Sequence, residues 1–149
     1  MDNTAQDSVL TAIRKEFFIF RNGLTADILR KGGLEQKYIF GLQLPQIKEI
    51  SVRMRPEGDA EAASLARALW ADRECREGRL LACHIMPPAA MDRDEAEAWA
   101  RDVRTREEAD ILSFRLLRYL SCGHVIADTL SSSDIPLRKY TAEAIRRFI

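Results

Sequence analysis

Little in this sequence points to covalent or metal-dependent chemistry. Its three cysteines, Cys75, Cys83 and Cys122, form no Cys-x-x-Cys pair, so neither a disulfide framework nor a zinc site is expected, and they read as small buried hydrophobes. The two histidines, His84 and His124, stand alone without carboxylates or thiols at ligand spacing, so no resident metal is expected. A Gly-rich phosphate loop and a Ser/His/Asp set are both missing, and no cofactor is expected. Aromatic residues are scarce, at 7% against 46% hydrophobic residues in all, which favours Ala/Leu-rich helices over a β-sandwich. No run approaches the roughly 18 apolar residues of a membrane span. The polar start Met1-Asp2-Asn3-Thr4 does not read as a signal peptide. A cytoplasmic chain with no membrane partner is therefore expected. Net charge is missing too: 23 basic residues face 23 acidic ones, which removes the argument for nucleic acid that a basic chain would offer.

What is present is helical. The 149 residues suit one domain able to bury its own core. Val9, Leu10, Ile13, Phe17 and Phe20 lie on one stripe of a first helix that Asn22-Gly23 stops, and a short second helix ends at Gly32-Gly33. Residues 34–44 read as an ordered, partly buried loop. Pro45 suits the first position of the next helix, and Asp59 is placed to cap the one after it. Helices follow over Glu74–Met86, after the Asp92/Glu95 capping box, and after the Thr105/Glu108 capping box as far as Leu120. In that last one Ile111, Leu112, Phe114, Leu116, Leu117 and Leu120 cover most of the circumference, predicting the most buried helix of the chain. Two more follow, Gly123–Leu130 and Pro136–Ile149. About nine helices and no strand are expected.

Helix pairs recur at intervals of roughly 30 residues, with partner helices starting near Glu77, Glu108 and Arg138. That recurrence predicts an all-α fold, an α-solenoid of HEAT-like repeats over 45–149 with two N-terminal helices in 1–33. An irregular helical bundle is the alternative. Charge varies along the chain: residues 106–149 carry seven basic and six acidic side chains, whereas 59–105 carry seven and ten. Arginine outnumbers lysine 18 to 5, and arginine is the better fork for phosphate.

The segment Tyr38-Ile-Phe-Gly41-Leu-Gln-Leu-Pro45-Gln-Ile-Lys-Glu-Ile50 resembles the entry to the first repeat of AlkD-type DNA alkylation repair proteins. Leu65–Trp70 followed by Glu77–Ala82 is similar to their second repeat. Thr105-Arg-Glu-Glu-Ala-Asp110 is similar to their Trp-x-x-x-Asp helix start, and Pro136-Leu-Arg-Lys139 to a later basic helix start. The resemblance spans about residues 34–149 and describes a short member of that family. It implies duplex DNA as partner and excision of cationic alkylpurines, 3-methyladenine and 7-methylguanine, by one carboxylate that stabilises an oxocarbenium-like sugar and orients water. On the matched motif Asp110 is that carboxylate. Arg138 or Lys139 is the phosphate contact; Arg79 and Arg106, at equivalent helix starts, complete the expected DNA-binding set.

The sequence departs from the pattern at one telling place. Arg106 stands where the motif has tryptophan, one turn from Asp110, where the two can pair. Asp110 also has an ordinary role as an acidic residue in a first helical turn, beside Glu107 and Glu108. Arg79 reads more readily as a structural arginine bonding a neighbouring loop. A noncatalytic helical-repeat scaffold, binding a protein or nucleic acid through its concave side, is the alternative function.

Overall fold

The computed structural model describes residues 3–149. Among them are nine α-helices and two 3-10 turns, with no strand. The helices are α1 (Asn3–Ile19), α2 (Gly23–Lys31), α3 (Leu44–Met54), α4 (Asp59–Ala71), α5 (Arg76–Ile85), α6 (Arg93–Arg101), α7 (Arg106–Arg115), α8 (Gly123–Ser131) and α9 (Pro136–Phe148). They divide into two compact units, Met1–Ile85 and Met86–Ile149. The helices α5, α7 and α9 begin 30 residues apart, at Arg76, Arg106 and Pro136. No helix among the described residues is long and apolar enough to cross a membrane.

In the first unit, α3 and α5 run in the same direction and pack on each other, with α4 between them in sequence and packed on α5. Their N-terminal ends meet where the Arg76 guanidinium donates to the Leu42 carbonyl at 2.9 Å. Their C-terminal ends meet where Arg55 Nε donates to the Ile85 carbonyl at 3.4 Å. Ile47, Ile50, Leu65, Leu80, Leu81 and Ile85 are wholly removed from water between them. Each such side chain contributes on the order of 1.5–3 kcal/mol. Every residue of α5 except His84 is buried, making α5 the most enclosed helix. The expectation had given that place to the helix after Thr105. That helix stops at Arg115 because Leu116 leaves helical geometry (φ −132°, ψ −62°). The break directs Leu116 and Leu117 into the core together, both at 0% exposure.

Residues 34–43 are extended and pinned at many points. Tyr38 pairs with the strand-like segment before α5, its N–H donating to the Glu74 carbonyl at 2.8 Å and its carbonyl accepting from the Arg76 N–H at 3.1 Å. Further along, the Glu77 carboxylate is fully buried and accepts from the N–H groups of Phe40 (3.0 Å), Gly41 (3.0 Å) and Leu42 (3.3 Å). Arg76 donates to the same carboxylate at 2.6 Å. One acidic side chain thus satisfies three backbone donors that burial would otherwise leave unpaired. Gly41 sits at φ +84°, and a Cβ there would meet the Asn22 carbonyl oxygen at 2.2 Å. The Gly41–Pro45 element is therefore explained by backbone packing: Gly41 passes the corner between α1 and α2, and Pro45 is the second residue of α3, one later than expected.

The caps match the expected chemistry with one shift of register. Asp92 accepts from the Glu95 N–H at 2.8 Å, and Thr105 from the Glu108 N–H at 3.0 Å. Gly58, one residue before the expected Asp59, is the N-cap of α4.

The cysteines make no disulfide; Cys75 and Cys83 are buried and Cys122 is half-buried. Burial pushes the Cys75 thiol up to about 11, with Glu77 and Asp72 adding to the effect. The folded state holds this proton where the unfolded chain releases it, so the stabilisation is intact below pH 9 and is lost as pH rises toward 11. A chemical denaturation series between pH 8 and 11 should show this loss, and Cys75→Ala should flatten it. At pH 8 a thiol reagent should titrate Cys122 rapidly and reach Cys75 and Cys83 only after denaturation.

Candidate nucleic-acid interface

Within the second unit, α7 and α9 also run in the same direction, with α8 returning between them in sequence. The start of α7 is set by two reciprocal contacts. Thr105 accepts from the Glu108 N–H, and the buried Glu108 carboxylate accepts from the Arg104 N–H at 2.9 Å. With that first turn fixed, Arg106, Asp110 and Phe114 follow one another at intervals of one turn along the side facing α9.

Asp110 is the centre of the face. The Tyr140 hydroxyl on α9 lies 2.9 Å from one of its carboxylate oxygens and 3.0 Å from the other, donating to the pair. Arg147, about two turns further along α9, approaches Asp110 at 3.6 Å. Both side chains remain partly in water, Asp110 at 38% and Arg147 at 51% exposure. Arg106 makes a different contact from the one its spacing suggested. Its guanidinium lies over the Tyr140 ring, 4.9 Å from the centroid, and Asp110 takes its partners from α9. Beyond Asp110 the contact continues as an edge-to-face pair, Phe114 against Phe148 with centroids 5.2 Å apart.

Arg138 and Lys139 occupy the first turn of α9, after Pro136. Neither has an ion pair or side-chain hydrogen bond among the described residues. Two cations at the positive end of a helix are opposed by its dipole. Backbone energetics therefore give no reason for their placement. Arg79 lies elsewhere, in the first unit, at 0% exposure. Its guanidinium donates to the Trp70 carbonyl at 3.0 Å and lies 3.9 Å from the Trp70 ring centroid. It is packed inside the α4–α5 hairpin, where no phosphate reaches it. The structure thus gathers Arg106 and Asp110 and sets Arg138 and Lys139 at the start of the neighbouring helix, while Arg79 is buried within the first unit.

Residues 13–135 match the family model described as DNA alkylation repair enzyme. The chain belongs to that family. No curated protein and no solved structure matches it. The family match includes Arg106 and Asp110 and ends just before α9. In this member of the DNA alkylation repair family, the residues that hold Asp110 therefore come from beyond the matched region. Neither Tyr140 nor Arg147 was read from sequence as a partner of Asp110, yet a signal for Tyr140 existed. It follows Asp110 by 30 residues, the interval between the starts of α7 and α9, so these two helices stacked in register bring the two side chains together. No group of three or more His, Cys, Asp or Glu side chains able to hold a metal occurs among the described residues.

Proposed function

We propose that this member of the DNA alkylation repair family binds duplex DNA through the α7–α9 face and excises cationic alkylpurines there, with Asp110 as the catalytic carboxylate. The observation that carries the reading is Asp110 itself: half-exposed and fixed in orientation by the Tyr140 hydroxyl on the next parallel helix. A methylated purine such as 3-methyladenine or 7-methylguanine already carries positive charge. Its C1′–N9 bond breaks with the electron pair leaving on the purine, which neutralises the base and leaves charge on the sugar. Asp110 stabilises that charge and takes a proton from the water that adds to C1′. Arg138 and Lys139 supply phosphate contacts, and Arg106 adds a third cation at the start of α7.

A second reading rests on a specific observation. Arg147 at 3.6 Å from Asp110, and Arg106 on the adjoining Tyr140 ring, place two cations where a cationic base would have to dock. On that reading the face binds a partner, DNA or protein, without excising anything. The experiment that separates the two is release of 7-methylguanine from methylated duplex DNA by the wild-type protein and by Asp110→Asn. No release by wild type, or equal release by both, removes the catalytic reading.

A further inference from the structure

We propose that Arg118 forms an additional phosphate contact on this face, extending the DNA track past the C-terminal end of α7; the inference rests on the DNA-binding part of the reading above and is independent of excision. Arg118 lies in the 3-10 turn Leu117–Tyr119 that follows α7. Its guanidinium stands 4.3 Å from the Phe114 ring centroid and 4.6 Å from that of Tyr119, held between two aromatic faces. Arg118 also donates to the Tyr119 hydroxyl. Phe114 is the residue packed on Phe148, and Arg147 beside it reaches Asp110. The contacts therefore run without a gap from Asp110 to Arg118.

Three features separate Arg118 from an ordinary surface arginine. Arg14, Arg53, Arg55, Arg101 and Arg146 each have a carboxylate partner, with Asp72, Glu16, Asp59, Glu97 and Asp128 respectively. Arg118 has none among the described residues, as is true of Arg21 and Arg115, but each of those two stands over one ring and Arg118 over two. Its fork is nonetheless oriented by ring contacts, so little further side-chain entropy is lost when an anion arrives. Finally, Tyr119 beside it is 58% exposed, an aromatic left in water next to an oriented cation. The helix dipole does not account for this arrangement, since Arg115 already occupies the last turn of α7 and Arg118 lies beyond it. Phe114 follows Asp110 by one turn, about 5.4 Å.

The test is fluorescence anisotropy of a short labelled, unmethylated duplex titrated with full-length protein over a range of salt concentrations. Arg118→Gln is expected to weaken binding about five- to tenfold at low salt and to reduce the slope of log affinity against log salt by about one. Arg118→Lys, which keeps the charge, should restore most of the slope. Arg146→Gln removes an equal charge from a cation already engaged by Asp128 and should leave the slope near wild type. Wild-type slope and affinity in Arg118→Gln overturn the proposal while leaving DNA binding intact. Equal losses in Arg118→Gln and Arg146→Gln overturn it as well, because they reduce the effect to net charge. A wild-type protein that fails to bind the duplex at all overturns the DNA reading itself.

Discussion

Asp110→Asn is expected to lower release of 7-methylguanine from methylated DNA by at least about a hundredfold, with little change in thermal stability. The amide has the carboxylate's shape and can still accept from the Tyr140 hydroxyl, so the contact between α7 and α9 survives. What it loses is the negative charge that would meet the developing positive charge on the sugar. Loss of one preorganised electrostatic partner costs on the order of 3–4 kcal/mol of transition-state stabilisation. Duplex affinity should stay the same or rise slightly, since a negative charge near the phosphates is removed. A variant that instead lost binding and stability together would show that Asp110 serves only to join α7 to α9.

Glu77→Gln is expected to destabilise the first unit by about 3–5 kcal/mol, a large part of the stability of a small domain. The carboxylate uses both oxygens, accepting from Phe40 with one and from Gly41, Leu42 and Arg76 with the other. An amide offers one acceptor oxygen and removes the negative charge that Arg76, buried at 5% exposure, meets at 2.6 Å. Urea unfolding followed through Trp70, in a Trp99→Phe background, reads this unit selectively. Asp59→Asn, which breaks the exposed i,i+4 pair with Arg55 and leaves the Arg55 bond to the Ile85 carbonyl in place, should cost less than about 1 kcal/mol in the same assay. Equal effects from the two variants would show that the loop over Glu77 is loosely held.

These two carboxylates illustrate how differently sequence exposes structure and site. Asp110 was legible because it sits in a recognisable helix start, four residues after Arg106 and five after the capping Thr105. Glu77 stands at an equivalent place near the start of α5, yet nothing in its local pattern marks it as the acceptor for a loop 35 residues earlier. Hydrogen bonding at that separation is decided by how the extended segment 34–43 closes over the hairpin. Arg79 shows the converse. Its position near a helix start allowed both a DNA contact and a structural arginine, and the packing of α4 against α5 puts it in the structural role, under Trp70. The end of α7 was overrun in the same way. The apolar residues from Ile111 to Leu120 read as one continuous helix, whereas burying Leu116 and Leu117 together required the chain to break at Leu116.

The sequence alone determined the helices, their caps and their 30-residue recurrence, because these depend on side-chain periodicity and on contacts three or four residues apart. It also carried the family resemblance and the choice of Asp110. The tertiary structure decided what surrounds that carboxylate. Stacking α7 and α9 in parallel brought Tyr140 and Arg147 to Asp110 and drew Arg106 onto an aromatic ring. Partners supplied by another helix leave no local signature, since a side chain's neighbours across a packed interface are fixed by register and burial and not by its own segment.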